Sequence, residues 1–312
     1  MNRLIPTAFV LLIAAAGAPL AAQDAKKPPQ TDKAALAILD RAIAHQAPKQ
    51  LTGPDSIRDL MVRIQAEVWD HRPEKPERQS IRVSRYLTSS PARFRSEWRT
   101  LANTLVNGYD GRYFWFAEYD VHNAKQDARL LLGDQYKSDK QRIRDEMEET
   151  RYLIRFFFLG NLKGKEIVFT MKPEETIDVF GKKKPCHVLH RVNAMADSSE
   201  PPLTLFLEKS TLNLVRAVAH ATKEEQKSLR FTFRYDEAVQ PRIKGVLFPF
   251  KMELHEKPSA AKEYRIVSRA TLLENGIDFN GGLKKELFIA PIKKKPAEKA
   301  DDKEKKPADK PK

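Results

Sequence analysis

A long helical pattern set among strands constrains this chain more than any other feature. Between Ser138 and Gly160, Ile143, Met147, Ile154 and Phe157 recur near one face at helical spacing, the signature of an amphipathic helix. Glu146, Glu148, Glu149 and Arg151 are assigned to the opposite face, toward water. Ser138 with Gln141 makes a capping-box pattern at the start, and Gly160-Asn161 supplies a stop. From Tyr152 to Leu159 the polar face almost vanishes. That apolar end must be buried against a sheet as a fixed plug, or against a ligand as a lid. The sequence leaves both open.

Nearly everything else reads as β-strand. Leu60, Val62, Ile64, Ala66 and Val68 alternate with Met61, Arg63, Gln65, Glu67 and Trp69, a period of two. Ile81, Val83, Arg85 and Leu87 open a second strand. Further on, Phe94, Ser96 and Trp98 point one way, and Arg93, Arg95, Glu97 and Arg99 the other. Asp110-Gly111 predicts a two-residue hairpin turn joining 104–108 to 112–119, where Tyr113, Trp115 and Ala117 share a face. The stretch 122–137 reads as a loop. Strands are expected again at 166–171, 176–180, 187–193, 203–208, 212–219, 229–235, 246–255 and 264–272, with 181–185 and 197–202 as loops. A short helix capped by Thr31 or Asp32 and carrying Leu36, Leu39 and Ile43 precedes them all.

No repeat with a period of about 20 to 50 residues appears, which argues against a solenoid or propeller. About a dozen short antiparallel strands with two helices predict an α+β, mostly β fold. Its form is a curved antiparallel sheet, an open half-barrel, covered by the long helix.

Both ends read as lying outside the fold. Residues 1–22 combine Arg3, an apolar run from Leu4 to Leu20, and Ala21-Ala22 before Gln23, the pattern of a cleaved secretory signal. No cysteine follows the run, so the chain is expected to be exported and periplasmic rather than a lipoprotein. Residues 23–30 form a polar lead, and 31–290 a single domain. In 291–312, nine Lys face five Asp or Glu with Ile292 as the one large apolar residue, a disordered tail by composition. The whole chain sums to +14. Subtracting Arg3 and the tail's surplus of four leaves about +9 on the body. Behind a signal peptide that charge points to anionic membrane surfaces or envelope polymers rather than nucleic acid, or simply to solubility.

No motif for catalysis or a nucleotide appears: no Gly-x-Ser-x-Gly elbow, P-loop or dinucleotide fingerprint. The lone cysteine, Cys186, cannot form an internal disulfide. Cys186 and His190 share a strand face at about 13 Å, and His187 points away, too spread for one metal. Cys186 reads as a small buried residue. The acids at 145, 146 and 149 sit among basic residues at helix-pair spacing and read as a solvated face. No catalytic residue, metal or cofactor is implied.

Four places resemble the LolA/LolB-like lipoprotein-carrier superfamily. Ser90-Pro91-Ala92-Arg93-Phe94-Arg95 is similar to its Pro-x-x-Phe strand start. Gly108 to Trp115 is similar to its Gly-x-x-x-Trp hairpin. Leu205 to Leu212 resembles the strand ending in Asp-x-x-Thr, with Glu208 as the acid. Tyr235, Gly245 to Pro249, Asn275-Gly276-Ile277 and Phe288 resemble its closing strands. The resemblance spans 36–291 and implies a half-barrel holding acyl chains beneath a helical lid. Carriers of this type latch the lid with a basic residue beside the early proline. Ser90 holds that place here, and Arg93 would point elsewhere.

The expected function is therefore binding: carriage or sensing of a lipid or lipoprotein acyl chain, by a monomer. Phe94, Trp98, Trp115, Met147, Leu153, Ile154, Phe157 and Phe158 are the candidate lining and lid residues, with ordinary core packing as the competing role. Arg93, Arg95, Arg99 and Arg112 are candidates for an anionic headgroup, or an ordinary solvent-facing row. The alternative is an envelope interaction module with a filled core, whose partner is a protein. A hydrolase is the remaining class, with no motif to support it.

Overall fold

The strict alternation at 60–68 becomes the middle of a sheet. In a computed structural model, which describes residues 30–51, 56–70, 77–89, 91–120, 126–164, 166–193, 201–221, 227–259 and 261–291, strand β1 (Asp59–Asp70) buries Leu60, Val62, Ile64, Ala66 and Val68. The expected signal segment, Ser90, most of the polar lead and the Lys-rich tail beyond Pro291 lie outside the described residues.

From β1 the chain moves outward by hairpins through β2 (Glu77–Ser89), β3 (Ala92–Arg99), β4 (Asn103–Tyr109), β5 (Phe114–Asp120) and β6 (Gln126–Leu130). The long helix, here α2 (Lys137–Phe157), follows; the shorter α1 (Lys33–Gln46) precedes β1. A second series then runs back through β7 (Ile167–Val179), β8 (Lys182–Asn193), β9 (Leu203–Glu208), β10 (Leu214–Ala219), β11 (Ser228–Arg234), β12 (Lys251–Lys257) and β13 (Arg265–Phe279), which pairs with β1. Among the described residues, all thirteen strands form one antiparallel sheet in the order β6-β5-β4-β3-β2-β1-β13-β12-β11-β10-β9-β8-β7. The two edge strands, β6 and β7, do not pair, so the curved sheet stays open. The segment carrying α2 joins one edge to the other. Its 21 residues give a reach of about 31 Å at the α-helical rise.

One face, the inner one, carries both helices and the main core. α1 is capped by the Asp32 carboxylate, which accepts from the Ala34 amide. It sets Ala35, Leu39, Ala42 and Ile43 against β-strand side chains and against Phe156–Leu159.

Several expected boundaries move. Ser138 does not cap α2: a 3-10 turn at Asp134–Tyr136 leads directly into the helix, so Ser138 lies inside its first turn. The helix stops at Phe157, ahead of Gly160, and a second 3-10 turn covers Leu159–Leu162. The loop expected at 122–137 contains β6. Asp110-Gly111 is not a two-residue turn: Tyr109 pairs with Phe114, leaving four residues in the loop. The Asp110 carboxylate there accepts from the amides of Arg112 and Tyr113. Residues 182–185 are strand, because Phe180 and Gly181 take φ of 50° and 80° and turn the hairpin in two residues, the I′ pattern.

The strands expected at 166–171 and 176–180 are one strand, β7, with a register shift between Lys172 and Glu175 around Pro173. Proline is tolerated there because β7 is an edge. The extra residue reverses the strand's parity. Phe169 therefore packs in the inner core, while Ile177 and Val179 pack on the outer face with Cys186, Val188, Phe206, Val215 and Val218.

Gly108 shows how tightly the outer face is closed near the β4–β5 hairpin. A Cβ built there would lie 2.1 Å from Cε2 of Trp115, a fully buried ring whose Nε1 donates to the Phe288 carbonyl at 2.8 Å. The G108A variant is expected to lose about 1–3 kcal/mol by overpacking, read as a lower urea midpoint together with a shifted tryptophan emission.

Candidate functional site

A row of polar residues crosses the inner face where apolar ones are expected. Strand pairing aligns Arg85 of β2 with Ser96 of β3, and Ser96 with Asn107 of β4. Each has the parity of buried neighbours: Arg85 lies between Val83 and Leu87, Ser96 between Phe94 and Trp98. All three are buried.

The first two-thirds of α2 lie against this row through polar groups. The Arg85 guanidinium meets the Glu149 carboxylate at 2.9 Å, with side-chain exposures of 3% and 7%. Trp98 Nε1 donates to Ser96 Oγ at 2.8 Å and to Glu146 Oε2 at 3.2 Å. Asn107 Nδ2 donates to the other Glu146 oxygen at 3.2 Å, and Arg142 donates to Asn107 Oδ1 at 3.3 Å. The Thr150 hydroxyl donates back to the Glu146 carbonyl. Low local dielectric strengthens such a network when it is satisfied and makes its partial loss costly. The assignment of Glu146 and Glu149 to water is thus overturned: both are buried, as is Asp145. Their i, i+3 spacing meets a polar stripe on the sheet that the helix pattern alone cannot reveal.

The end of α2 is held differently. Phe156, Phe157, Phe158 and Leu159 are each at most 1% exposed. Phe156 lies against Phe231 and Phe233, Phe157 edge-on to Phe248, and Phe158 edge-on to both Phe248 and Phe279. These tilted and edge-to-face geometries are the favourable ones for aromatic pairs. Gln46 at the end of α1 secures the exit from the helix. Its side-chain amide donates to the Phe156 carbonyl and accepts from the Leu159 amide.

The residues named from sequence divide between faces. Phe94, Met147 and Ile143 share a cluster with Leu87 and Leu131, and Ile154 packs against both this cluster and the main core. Trp98 is in the polar network. Leu153 is partly buried against the main core, and Phe157 and Phe158 lie within it. Trp115 is on the other face. Because Phe94 pairs with Tyr109 and Tyr109 with Phe114, Phe114 and Phe116 face α2, and Trp115 packs with Val106, Ala117 and Ala290. Arg95 shares Trp115's face, bonding to Glu97 and the Leu287 carbonyl. Arg93 and Arg99 have the same parity, and Arg112 is exposed over the Tyr113 ring. The arginine row therefore lies away from α2. Cys186 is buried in the outer cluster, and burial pushes its thiol up to about 11. No group of three or more potential metal ligands exists among the described residues.

Arg85 is the residue the sequence reading placed on a strand without giving it a role. Its signal was present: a charge at apolar parity on a strand that starts Ile81, Val83. Its ion pair with Glu149 ties β2 to α2, six residues before Pro91 rather than beside it.

No protein-family model matches the chain, and no curated protein matches it. Among solved structures it is similar to a domain described as that of an outer membrane lipoprotein-sorting protein from Vibrio parahaemolyticus, at 10% identity and TM-score 0.41, covering 82% of this chain and 96% of that one. It is similar to a DUF1329 family protein from Desulfovibrio piger, at 15% identity and TM-score 0.40, covering 82% and 97%. It is also similar to a LolA superfamily protein from Nitrosomonas europaea, at 14% identity and TM-score 0.38, covering 82% and 97%. Likeness at this level leaves function to be argued from the chain's own geometry.

Removing one partner of the Arg85–Glu149 pair strands a buried charge. R85M and E149Q are each expected to cost about 3–5 kcal/mol, whereas the double variant R85M/E149Q costs much less than their sum. Urea denaturation of the four proteins completes the cycle.

Proposed function

We propose that this chain is an exported binding protein, a carrier or sensor for a lipid, a lipoprotein acyl chain or a similar amphiphile, with α2 as its lid. The observation that carries the reading is the two-part seat of α2. Its first two-thirds are held by a buried ionic and polar network, its end by aromatic rings. A helix meant only to complete a core is best served by apolar packing along its whole length, because burying an ion pair sacrifices solvation that attraction only partly restores. The polar network instead gives α2 a defined docked position and interrupts the apolar surface that its departure exposes.

The aromatic end is what a hydrocarbon tail would replace. Each methylene buried in place of the rings contributes about 0.8 kcal/mol, so a long chain offsets displacement of Phe157 and Phe158. In this reading Phe94, Trp98, Met147, Leu153 and Ile154 border the vacated space. The motif resemblance to lipoprotein carriers supports the same assignment. The role is one of binding, and no residue is given a reaction to perform. A periplasm-type location rests on the pattern at 1–22 and predicts a mature chain beginning at Gln23, which N-terminal sequencing of secreted material checks.

One observation favours a second reading. Phe156 to Leu159 already fill their site, as a permanently closed interaction module would require. A titration separates the two. Native mass spectrometry of protein purified without detergent, followed by titration with a fluorescent long-chain fatty acid, is expected to show bound lipid or saturable one-to-one uptake. E149Q, which loosens the docked helix, is expected to bind the probe about tenfold more tightly for each 1.4 kcal/mol of weakened docking. No bound lipid, no saturation and no effect of E149Q would leave the interaction module standing.

A further inference from the structure

The β7–β8 hairpin builds a second site, on the face of the sheet opposite α2. The parity reversal in β7 turns Ile177 and Val179 onto the outer face, where they pack over β8 to β10. The hairpin tip is thereby carried across to the outer strands, and Arg216 of β10 donates to the Asp178 carbonyl. Between the tip and β10–β13 lies an open cleft of about 650 Å³, a size that accommodates a small ligand.

Strand register determines what lines it. One cross-strand row runs Arg216, Thr232, Glu253, Arg269. Arg230 and His255 pair in the next row on one side, and Arg234 and Lys251 pair on the other. With Phe180, Gly181 and Asp178 from the tip, these residues form the wall. Five permanent cations thus meet two carboxylates. Glu253 is engaged by Arg269 at 2.6 Å. Arg216, Arg230, Arg234 and Lys251 have no carboxylate at ion-pair distance among the described residues. All four rest instead on rings: Arg216 on Phe206, Arg230 on Tyr264, and Arg234 and Lys251 on Phe250.

A merely solubilising row would extend into water. Here Arg216 and Arg230 are partly buried, and their Nε–H groups are enclosed without an acceptor, as is Nδ1 of His255. Guanidinium groups that line one cleft without a carboxylate partner are what an oxyanion satisfies. The local field has the same sign: burial together with Arg230, Arg216 and Arg269 outweighs the attraction of Glu253 and pushes His255 down to about 4.

We propose that this cleft binds a phosphate-class anion, held by the guanidinium forks of Arg216 and Arg230 with Arg234 and Lys251 at its rim. Several forks acting together suit a multi-oxygen dianion better than a single carboxylate. The group could be carried by a free phosphate compound or by a lipid headgroup. The site is on the far side of the sheet from α2, so its test is independent of acyl binding.

The probes are inorganic pyrophosphate and dihexanoyl phosphatidic acid, titrated calorimetrically into the full chain. Saturable one-to-one binding is expected, weakening at least tenfold in R216M and in R230M and unchanged in R58M, which alters an exposed arginine outside the cleft. Tighter binding of the phosphatidic acid identifies a lipid headgroup as the source, and tighter binding of pyrophosphate a free phosphate. A second readout needs no arginine variant. The His255 imidazole, assigned in NMR spectra through H255N, is expected to titrate at higher pH when pyrophosphate is bound, since a neighbouring anion favours the charged ring. Absence of saturable binding of either probe at about 1 mM, where affinity is only about 4 kcal/mol, overturns the proposal. So does an unmoved His255 titration, or wild-type binding in both cleft variants.

Discussion

The connection between the two edges of the sheet governs the rest of the structure. Each half of the sheet is a meander that starts or finishes at its centre, and β1 pairs with β13 there. Hairpins carry the chain outward from β1 to β6 and inward from β7 to β13, but no hairpin joins β6 to β7. Those strands are the two extremes of a thirteen-stranded sheet, so the linking segment has to travel between edges. An unpaired backbone in transit would leave its amides and carbonyls without partners wherever it is buried. A helix satisfies them internally, and α2 is the element that takes this route. The lone long helix of the sequence is thus a consequence of strand order.

Such a helix meets changing surroundings along its length. Near the β6 edge it faces β2 to β4, where Arg85, Ser96 and Asn107 make a polar stripe. Near the β7 side it meets Phe231, Phe233, Phe248 and Phe279. The segment answers each in turn, with Glu146, Glu149 and Thr150 first and Phe156 to Leu159 afterward. The two halves respond to different perturbations. Loss of a charge at the first half leaves its partner buried and unmatched. Removal of a ring at the second leaves a cavity whose cost depends on how far the neighbours relax. In the proposed function, a ligand that replaces the rings acts only on the second, and the polar half sets how readily α2 departs.

Much of the layout was legible because period and punctuation agreed. The alternation at 60–68, the charged-and-aromatic alternation at 93–99 and the Asp32 cap are local signals, and the structure realises them as β1, β3 and α1. The errors at the candidate site are non-local. Glu146 and Glu149 look like a wet face until Arg85 and Asn107 are placed opposite them by strand register. Trp115 looks like a partner for Phe94 until two successive pairings put it on the other face. Strand β6 was hidden inside a polar stretch because an edge strand needs little apolar content to pair. The polar row was itself visible as three residues of the wrong character for their parity, but only if adjacent strands are compared.

The same parity logic explains why the outer face is not blank. A single extra residue near Pro173 exchanges the faces of the remainder of β7. Without it, Ile177 and Val179 would point inward beyond the main core, and the hairpin tip would have no anchor on β9 and β10. With it, the tip folds against the outer strands and converts a row of arginines from a flat, solvated surface into the wall of a cleft. Desolvation follows from that geometry and lowers the proton affinity of Arg216 and Arg230. Positive charge gathered where water is partly excluded is a standing cost to the fold. An oxyanion of matching shape removes that cost, and a bulge that creates the cleft is therefore tied to the anion it can hold.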